Sequence, residues 1–160
     1  QFDRLDFFRV MNKMLAIIPK TKINIAIDGY TASGKTTIGK ELATQLNYQF
    51  IDSGLFYRYI GYYYYDNTSL EEVIKIIDEH KQNNQLLTEL ESVNYLNYEE
   101  YSKSGELASR ASQNDQLREF INQTIRELTK QKEFVVVGRD VTTKILPDAE
   151  VKIVFTADLE

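Results

Sequence analysis

The residues with the clearest chemistry form a glycine-bounded loop ahead of a lysine and a threonine. Gly29 and Gly34 have four residues between them, and Lys35 and Thr36 follow directly, which completes the P-loop pattern. Glycines let consecutive N–H groups turn inward toward phosphate oxygens, and a following helix adds unpaired N–H groups. Lys35 would reach the outer phosphates, and the Thr36 hydroxyl would bind Mg²⁺. The pattern predicts a polyphosphate site made of Gly29, Tyr30, Thr31, Ala32, Ser33, Gly34, Lys35, Thr36 and Thr37.

Two further polar clusters follow apolar runs. Residues 52–54 (Asp-Ser-Gly) come after the run 48–51, and residues 138–140 (Gly-Arg-Asp) come after the run 134–137. In parallel sheets, ligands bind outside the carboxyl ends of the strands. An Arg–Asp pair at a strand end is compatible with a plain ion pair. Beside a P-loop, however, the pair favours contact with phosphate and Mg²⁺ or with a second substrate.

The elements that must position these residues can be read from hydrophobic periodicity. Apolar runs at 23–28, 48–51, 134–137 and 151–155 predict four strands. Apolar residues at four-residue spacing after the loop predict a helix that ends at Asn47. A strand, a helix and a strand in that order predict an α/β domain with three layers and a parallel central sheet.

The middle of the chain is less regular. Ser69 with Glu72 forms a capping box ahead of an amphipathic helix, and Asp115 is expected to cap another. Between these helices, residues 81–104 are polar and tyrosine-rich, which predicts an exposed excursion, and residues 106–112 predict a brief helix.

Three other features have competing interpretations. The tyrosine run 62–65 could stack on bases, but half-buried packing is favoured. His80 lies among charged residues, so we expect a solvated side chain rather than a base or a metal ligand. Residues 1–22 could form a membrane-binding or partner-binding helix; a helix packed on the domain, or a disordered arm, is favoured.

Composition narrows the class of protein. The 160 residues are 42% hydrophobic and 27% charged, as in soluble globular domains. The net charge of −5 argues against a general affinity for DNA or RNA. There is no cysteine and no apolar run of about 18 residues, which excludes disulfides and argues against a membrane helix. We therefore expect a cytoplasmic monomer that binds small molecules.

Four segments together resemble the cytidylate kinase family of P-loop nucleoside monophosphate kinases. The resemblance covers residues 23–160 and is weak between residues 62 and 103. The segments are residues 25–29 with the loop, residues 52–54 with Tyr57 and Arg58, residues 111–113 (Ala-Ser-Gln), and residues 138–140 continued by 147–149 and 151–153.

The resemblance implies transfer of the ATP γ-phosphoryl group to CMP or dCMP, giving CDP or dCDP and ADP, with Mg²⁺ bound. It implies a kinase core at 23–160 that follows an N-terminal extension at 1–22, with residues 62–113 as an inserted monophosphate-binding domain. Lys35 and Arg139 would be catalytic. The acceptor nucleotide would be bound by Ser53, Tyr57, Arg58, Ser112, Arg118, Arg139 and Asp140.

The sequence also departs from the family's pattern. Val137 stands where an Asp is usual, Thr142 stands where a Gly is usual, and Lys103 replaces an expected arginine. The family also continues beyond the position of Glu160 into an arginine-rich lid, so we expect this chain to be a C-terminally truncated core. Two alternatives stay open: another P-loop kinase of the AMP, TMP or shikimate type, or a non-catalytic ATP-binding regulatory module.

Overall fold

The structure is a computed structural model that describes residues 4–30 and 33–156. The chain divides into two compact units. The sheet unit consists of Gln1–Ser53 and Ile125–Glu160, and the helical unit consists of Gly54–Thr124.

The sheet unit is built on four parallel strands. The prediction of a parallel α/β fold is confirmed, and the strand order is β2-β3-β1-β4. Strand β3 therefore lies between β1 and β2, the first two strands along the chain. Asp28 lies opposite Gly138 and Asp52 lies opposite Val137, so these residues share one carboxyl edge. The strands are β1 (Asn24–Asp28), β2 (Gln49–Asp52), β3 (Phe134–Gly138) and β4 (Val151–Val154).

Two helices, α1 (Arg4–Ile17) and α2 (Lys35–Leu46), pack with this sheet. Met11 and Met14 of α1 are buried in one apolar cluster with strand and α2 side chains, so of the two favoured alternatives the packed helix is the one found. A Cβ at Gly39 would lie 2.5 Å from Val137, so α2 needs a glycine there to approach β3. Asn47 ends α2 with φ 56°, as predicted.

The helical unit contains helices joined by short turns. The capping box of Ser69 and Glu72 is confirmed: each side chain accepts a hydrogen bond from the backbone of the other residue. The helices are α3 (Ser53–Tyr64), which begins at the last residue of the sheet unit, then α4 (Leu70–Gln82), α5 (Leu86–Glu91), α6 (Tyr98–Ala111) and α7 (Asp115–Leu128), which ends in the sheet unit.

The predicted excursion at 81–104 is wrong. This stretch contains α5, a 3₁₀ turn and half of α6, and it buries Leu86, Leu90 and Val93. The predicted brief helix at 106–112 is the end of the longer α6. Apolar residues are too sparse here to show a period, and burial depends on packing between separate helices.

Two local predictions also need correction. The cap of α7 is Asn114, whose Oδ1 accepts a hydrogen bond from the Leu117 N–H, rather than Asp115. His80 is half-buried, with Nε2 3.3 Å from the Tyr59 hydroxyl, rather than solvated. Tyr62, Tyr63 and Tyr64 pack against neighbouring rings, as favoured, and Tyr65 lies against the Arg110 guanidinium. Tyr63 and Tyr65 stay exposed.

No helix within residues 4–30 and 33–156 has both the length and the apolar character that a membrane span requires.

Candidate active site

The phosphate loop (residues 29–37) follows β1 and includes the first three residues of α2. Gly34 precedes the helix with φ 87° and ψ 1°, a conformation that strongly favours glycine. The backbone N–H of Ser33 and the Lys35 ammonium both donate to the Tyr30 carbonyl oxygen, each at 3.1 Å. The predicted loop residues Thr31 and Ala32 lie outside the described residues. The described part of the loop is therefore a tight turn that leads into the N-terminus of α2.

Ser33 supplies the strongest sign that this loop binds an anion. Its Oγ is buried and has no hydrogen-bond partner among the described residues. A Cβ at Gly29 would lie 2.7 Å from this oxygen, so glycine is required to leave the space. An unsatisfied buried hydroxyl costs about 1–3 kcal/mol of stability. A phosphate oxygen that accepts a hydrogen bond from Ser33 would remove this cost. The residues present fit a polyphosphate.

The donor set also fits Mg²⁺ carried by a nucleotide. Thr36 and Thr37 lie in the first turn of α2, and Thr36 is half-buried. Within the part of the chain that the structure describes, His, Asp and Glu side chains form no cluster of three that could hold a metal alone. Magnesium commonly combines one or two protein oxygens with phosphates and water, which matches a site with a single hydroxyl ligand.

The charges near Lys35 come from three strand ends. Burial lowers the pKa of Lys35, and the Asp52 carboxylate opposes this effect. The Arg139 guanidinium lowers the pKa further, whereas Asp28 raises it. The positive charge of Arg139 therefore disfavours the charged form of Lys35. A bound anion would counter this effect, so the carboxyl edge is suited to phosphate.

The ends of β2 and β3 fit closely at this edge. A Cβ at Gly138 would collide with the hydroxyl of Ser53, which is buried at 5% exposure. Arg139 and Asp140 follow Gly138 and are exposed. Asp140 has a left-handed backbone, with φ 57° and ψ 23°, and its carboxylate lies 3.7 Å from the Lys144 ammonium. The structure therefore brings Ser53, Arg139 and Asp140 to the same edge as the phosphate loop.

The helical unit holds the remaining predicted substrate residues. Arg118 donates from its guanidinium to the Ser112 carbonyl oxygen at 3.2 Å. Burial raises the pKa of Tyr57, while the Arg118 guanidinium acts in the opposite direction. Arg118 therefore contacts Ser112 in the same part of the chain, and its charge acts on Tyr57, which is distant in sequence. Together they offer hydroxyl and guanidinium donors.

Arg58 is held by α6. Its guanidinium donates to the Tyr101 carbonyl oxygen at 3.0 Å and to the Ser104 hydroxyl at 2.9 Å, and it lies 4.1 Å from the centre of the Tyr101 ring. Ser104 is fully buried, and a Cβ at Gly105 would lie 3.3 Å from the guanidinium. Sequence reasoning missed Tyr101, Ser104 and Gly105. Only one indirect indication pointed to this part of α6: the resemblance implies an arginine here, where the chain has Lys103.

Asp28 is the other residue that the sequence did not single out. Its carboxylate accepts hydrogen bonds from the backbone N–H groups of Val141 and Thr142. The contact joins residues more than a hundred positions apart, so no local sequence motif predicts it.

Comparison with known proteins agrees with this arrangement. The family model described as cytidylate kinase matches residues 25–160. A cytidylate kinase from Mycoplasmopsis pulmonis is 42% identical over 139 residues, which cover 84% of this chain and 63% of the relative. One from Mycoplasmopsis synoviae is 37% identical over 149 residues, covering 87% of this chain and 67% of the relative. One from Mycoplasma capricolum is 33% identical over 148 residues, covering 87% and 65%.

The chain thus spans between 63% and 67% of the length of these three curated relatives. The family match includes the phosphate loop, the edge at Gly138, and the helical residues around Arg58 and Arg118. The chain therefore belongs to the cytidylate kinase family.

Proposed function

We propose that this protein transfers the γ-phosphoryl group of ATP to CMP or dCMP, giving ADP and CDP or dCDP. The observation that carries the proposal is a phosphate loop with a buried Ser33 hydroxyl that has no hydrogen-bond partner among the described residues, in a member of this family. Lys35 at the start of α2 and Arg139 after β3 add positive charge, which suits a reaction that brings two phosphate groups together. The names of the relatives support the choice of acceptor.

The donor nucleotide is assigned to the phosphate loop. The N–H groups of residues 29–37 and the Lys35 ammonium would bind the ATP phosphates, and the Thr36 hydroxyl would hold Mg²⁺. Magnesium, when bound, neutralises charge on the β- and γ-phosphates. The buried Ser33 hydroxyl donates to a phosphate oxygen, which satisfies an otherwise unpaired group.

The acceptor nucleotide is assigned to residues of both units. By the resemblance, Arg58 and Arg139 are assigned to its phosphate, and Ser53 and Tyr57 are assigned to contacts with the same nucleotide. Ser112, Arg118 and Asp140 recognise cytosine, whose N4 amino group suits a carboxylate and whose O2 and N3 atoms suit donors. Residues 62–113 are proposed as the monophosphate-binding insert; their inclusion in the compact helical unit supports this.

Catalysis in this proposal is a matter of position and charge. The acceptor phosphate oxygen attacks the γ-phosphorus in line with the leaving ADP oxygen. Lys35 and Arg139 stabilise charge that spreads over the transferred group, and no covalent enzyme intermediate is needed.

An acceptor panel tests the substrate. The chain is incubated with ATP, Mg²⁺ and CMP, dCMP, UMP, AMP, TMP or shikimate, and ADP formation is followed by a coupled assay. We expect turnover with CMP and dCMP above the others. Lys35→Ala should lower kcat by about a hundredfold or more, because a stabilising charge is lost from the transition state. Lys40→Ala, which removes an exposed lysine of the same helix, is the matched control.

Other outcomes would redirect the assignment. Turnover of AMP, TMP or shikimate without CMP would identify another small-acceptor kinase. ATP binding measured by calorimetry, with no turnover of any acceptor, would favour a regulatory nucleotide-binding module. Unchanged turnover in Lys35→Ala would show that the phosphate loop does not carry the transfer.

A further inference from the structure

Asp28 occupies the junction between β1 and the phosphate loop. Its Oδ1 accepts hydrogen bonds from the Val141 N–H at 2.6 Å and the Thr142 N–H at 3.3 Å. Its Oδ2 accepts from the Thr142 N–H at 3.3 Å and also from the Thr142 hydroxyl. One carboxylate therefore binds the first two backbone donors of the helical turn Val141–Ile145.

This turn lacks a cap of its own. The residue at the cap position is Asp140, whose side chain makes no capping hydrogen bond. The first N–H groups of a helical turn have no partner within the turn, so they need an acceptor from elsewhere. Asp28 supplies that acceptor from a different strand, and the Asp140 carboxylate remains exposed.

Thr142 strengthens the contact in this particular chain. Thr142 is buried, at 8% exposure. Its hydroxyl adds a side-chain hydrogen bond to Asp28 beside those from the backbone N–H groups. Hydrogen bonds to an ionised carboxylate are stronger than those between neutral groups. The segment that follows β3 is thereby anchored to β1 through both backbone and side chain.

We propose that Asp28 is a positioning residue that fixes Arg139 and Asp140 beside the phosphate loop. Both residues come directly before the anchored turn, and Asp140 has the left-handed backbone that the anchor must maintain. Gly29, the first residue of the phosphate loop, directly follows Asp28. One carboxylate therefore ties the segment assigned to CMP to the loop assigned to ATP. The functional part of this inference rests on the proposed function.

Four variants separate the roles. Asp28→Asn keeps the size of the side chain but replaces one acceptor oxygen with a donor, which opposes the N–H groups it faces. Thr142→Val removes the hydroxyl with little change in shape, and Thr142→Ser restores the hydroxyl. Thr143→Val is the matched control, because the Thr143 hydroxyl is exposed and lies 3.5 Å from the Asp140 carbonyl oxygen.

Two measurements are made on the full chain. Calorimetry gives the Kd for CMP and for ATP, and amide hydrogen exchange reports on the Val141 and Thr142 N–H groups. In Asp28→Asn and Thr142→Val we expect the Kd for CMP to rise about tenfold. The Kd for ATP should change by less than about threefold, and exchange at Val141 should accelerate. Thr142→Ser and Thr143→Val should resemble the unaltered chain.

A change in CMP affinity relative to ATP affinity is the result that a merely structural role would not produce. Equal weakening of both nucleotides, or unchanged CMP affinity in both altered variants, would overturn the proposal. If Asp28→Asn does not fold, Thr142→Val decides the matter.

Failure of the proposed function has a different signature. If the unaltered chain binds ATP but not CMP, the assigned acceptor is wrong, and exchange then decides the role of Asp28. Protection of the Val141 N–H that Thr142→Val reduces would support an anchoring role. Equal exchange in Thr142→Val and in the unaltered chain would refute it.

Discussion

Arg58, which we assign to the acceptor phosphate, is ordered by contacts that do not neutralise its charge. The hydrogen bonds and ring contact that the structure describes for it are made to a carbonyl oxygen, a hydroxyl and an aromatic face, all neutral groups. These contacts restrict the guanidinium, while its positive charge remains available to an anion. Less conformational freedom is then lost when a phosphate binds.

Replacing Arg58 tests its assignment to the acceptor phosphate. Arg58→Ala should raise the KM for CMP by about ten- to a hundredfold and leave the KM for ATP within about twofold. Steady-state kinetics with each nucleotide varied in turn measure both values. Arg110→Ala is a matched control, because Arg110 also lies over a tyrosine of the helical unit, 4.9 Å from the centre of the Tyr65 ring. Equal increases for CMP and ATP would contradict the assignment.

Local motifs predict some site residues and not others. Lys35 and Thr36 follow from loop spacing alone, because the chemistry of the site is contained in consecutive residues. The contact of Arg58 with Tyr101 spans 43 positions, and that of Asp28 with Val141 spans 113 positions. Such pairs arise from the way helices and strands pack, so no short pattern contains them.

At the scale of elements, two helices of the helical unit meet at a glycine. A Cβ at Gly61 of α3 would lie 2.8 Å from the Ala108 backbone nitrogen and 2.8 Å from the Leu107 carbonyl carbon of α6. Backbone atoms cannot move aside as the tip of a flexible side chain can. The close packing of α3 on α6 therefore depends on the absence of a side chain at Gly61.

Gly61→Ala should force these helices apart. We expect the free energy of unfolding to fall by about 1–3 kcal/mol, as for overpacked cores, measured by urea unfolding with circular dichroism. Gly105→Ala is the matched control, since its added methyl group meets only the tip of the Arg58 side chain and alanine favours a helix. Equal stabilities of the two variants would show that the α3–α6 contact tolerates a methyl group.

The elements differ in how well the sequence predicts them. Mostly apolar runs identify β1 and β3, because buried parallel strands need apolar residues on both faces. The edge strand β4 is recognised from its β-branched residues, although its burial alternates. The position of β3 between β1 and β2 cannot be read from order along the chain. Helix α5 and the first half of α6 were missed because few of their residues are apolar, whereas the end of α6 was predicted as a brief helix. A second capping box, at Asn97 and Glu100, marks the start of α6.

At the scale of the whole molecule, one acidic side chain joins three distant segments of the sheet unit. Glu150, just before β4, accepts a hydrogen bond from the Asn24 N–H of β1 at 3.1 Å and pairs with Lys132, just before β3, at 2.5 Å. Partial burial raises the pKa of Glu150, but the hydrogen bonds from Lys132 and Asn24 outweigh it, so the pKa is lowered below its ordinary value.

This lowered pKa makes stability depend on pH. A carboxyl group with a lowered folded-state pKa contributes stability above its unfolded-state value, and the contribution is lost as pH falls through the folded-state pKa. Glu150→Gln should therefore lower the free energy of unfolding by about 1 kcal/mol near pH 7, since the side chain is one third exposed and partly screened. The difference should shrink as the pH falls below the ordinary range of a glutamate carboxyl group and through the lowered folded-state pKa of Glu150.

Urea unfolding across this pH range measures the effect. Asp148→Asn, which alters an exposed carboxylate in the turn before β4, serves as the control and should show a smaller change near pH 7. A stability difference between Glu150→Gln and the unaltered chain that stays constant from neutral to acidic pH would contradict the explanation by charge.

The burial of α1 has a consequence for chemical damage. Both methionines of the chain, Met11 and Met14, lie in α1 and are buried at 2% and 5% exposure. Peroxide converts an accessible methionine into a polar sulfoxide, which an apolar core does not accommodate. The rate at which mild peroxide oxidises these two methionines would therefore report how often α1 leaves the apolar core. Helix α1 precedes residue 25, where the family match begins. The site of methionine oxidation in this chain therefore lies in a helix outside the matched region.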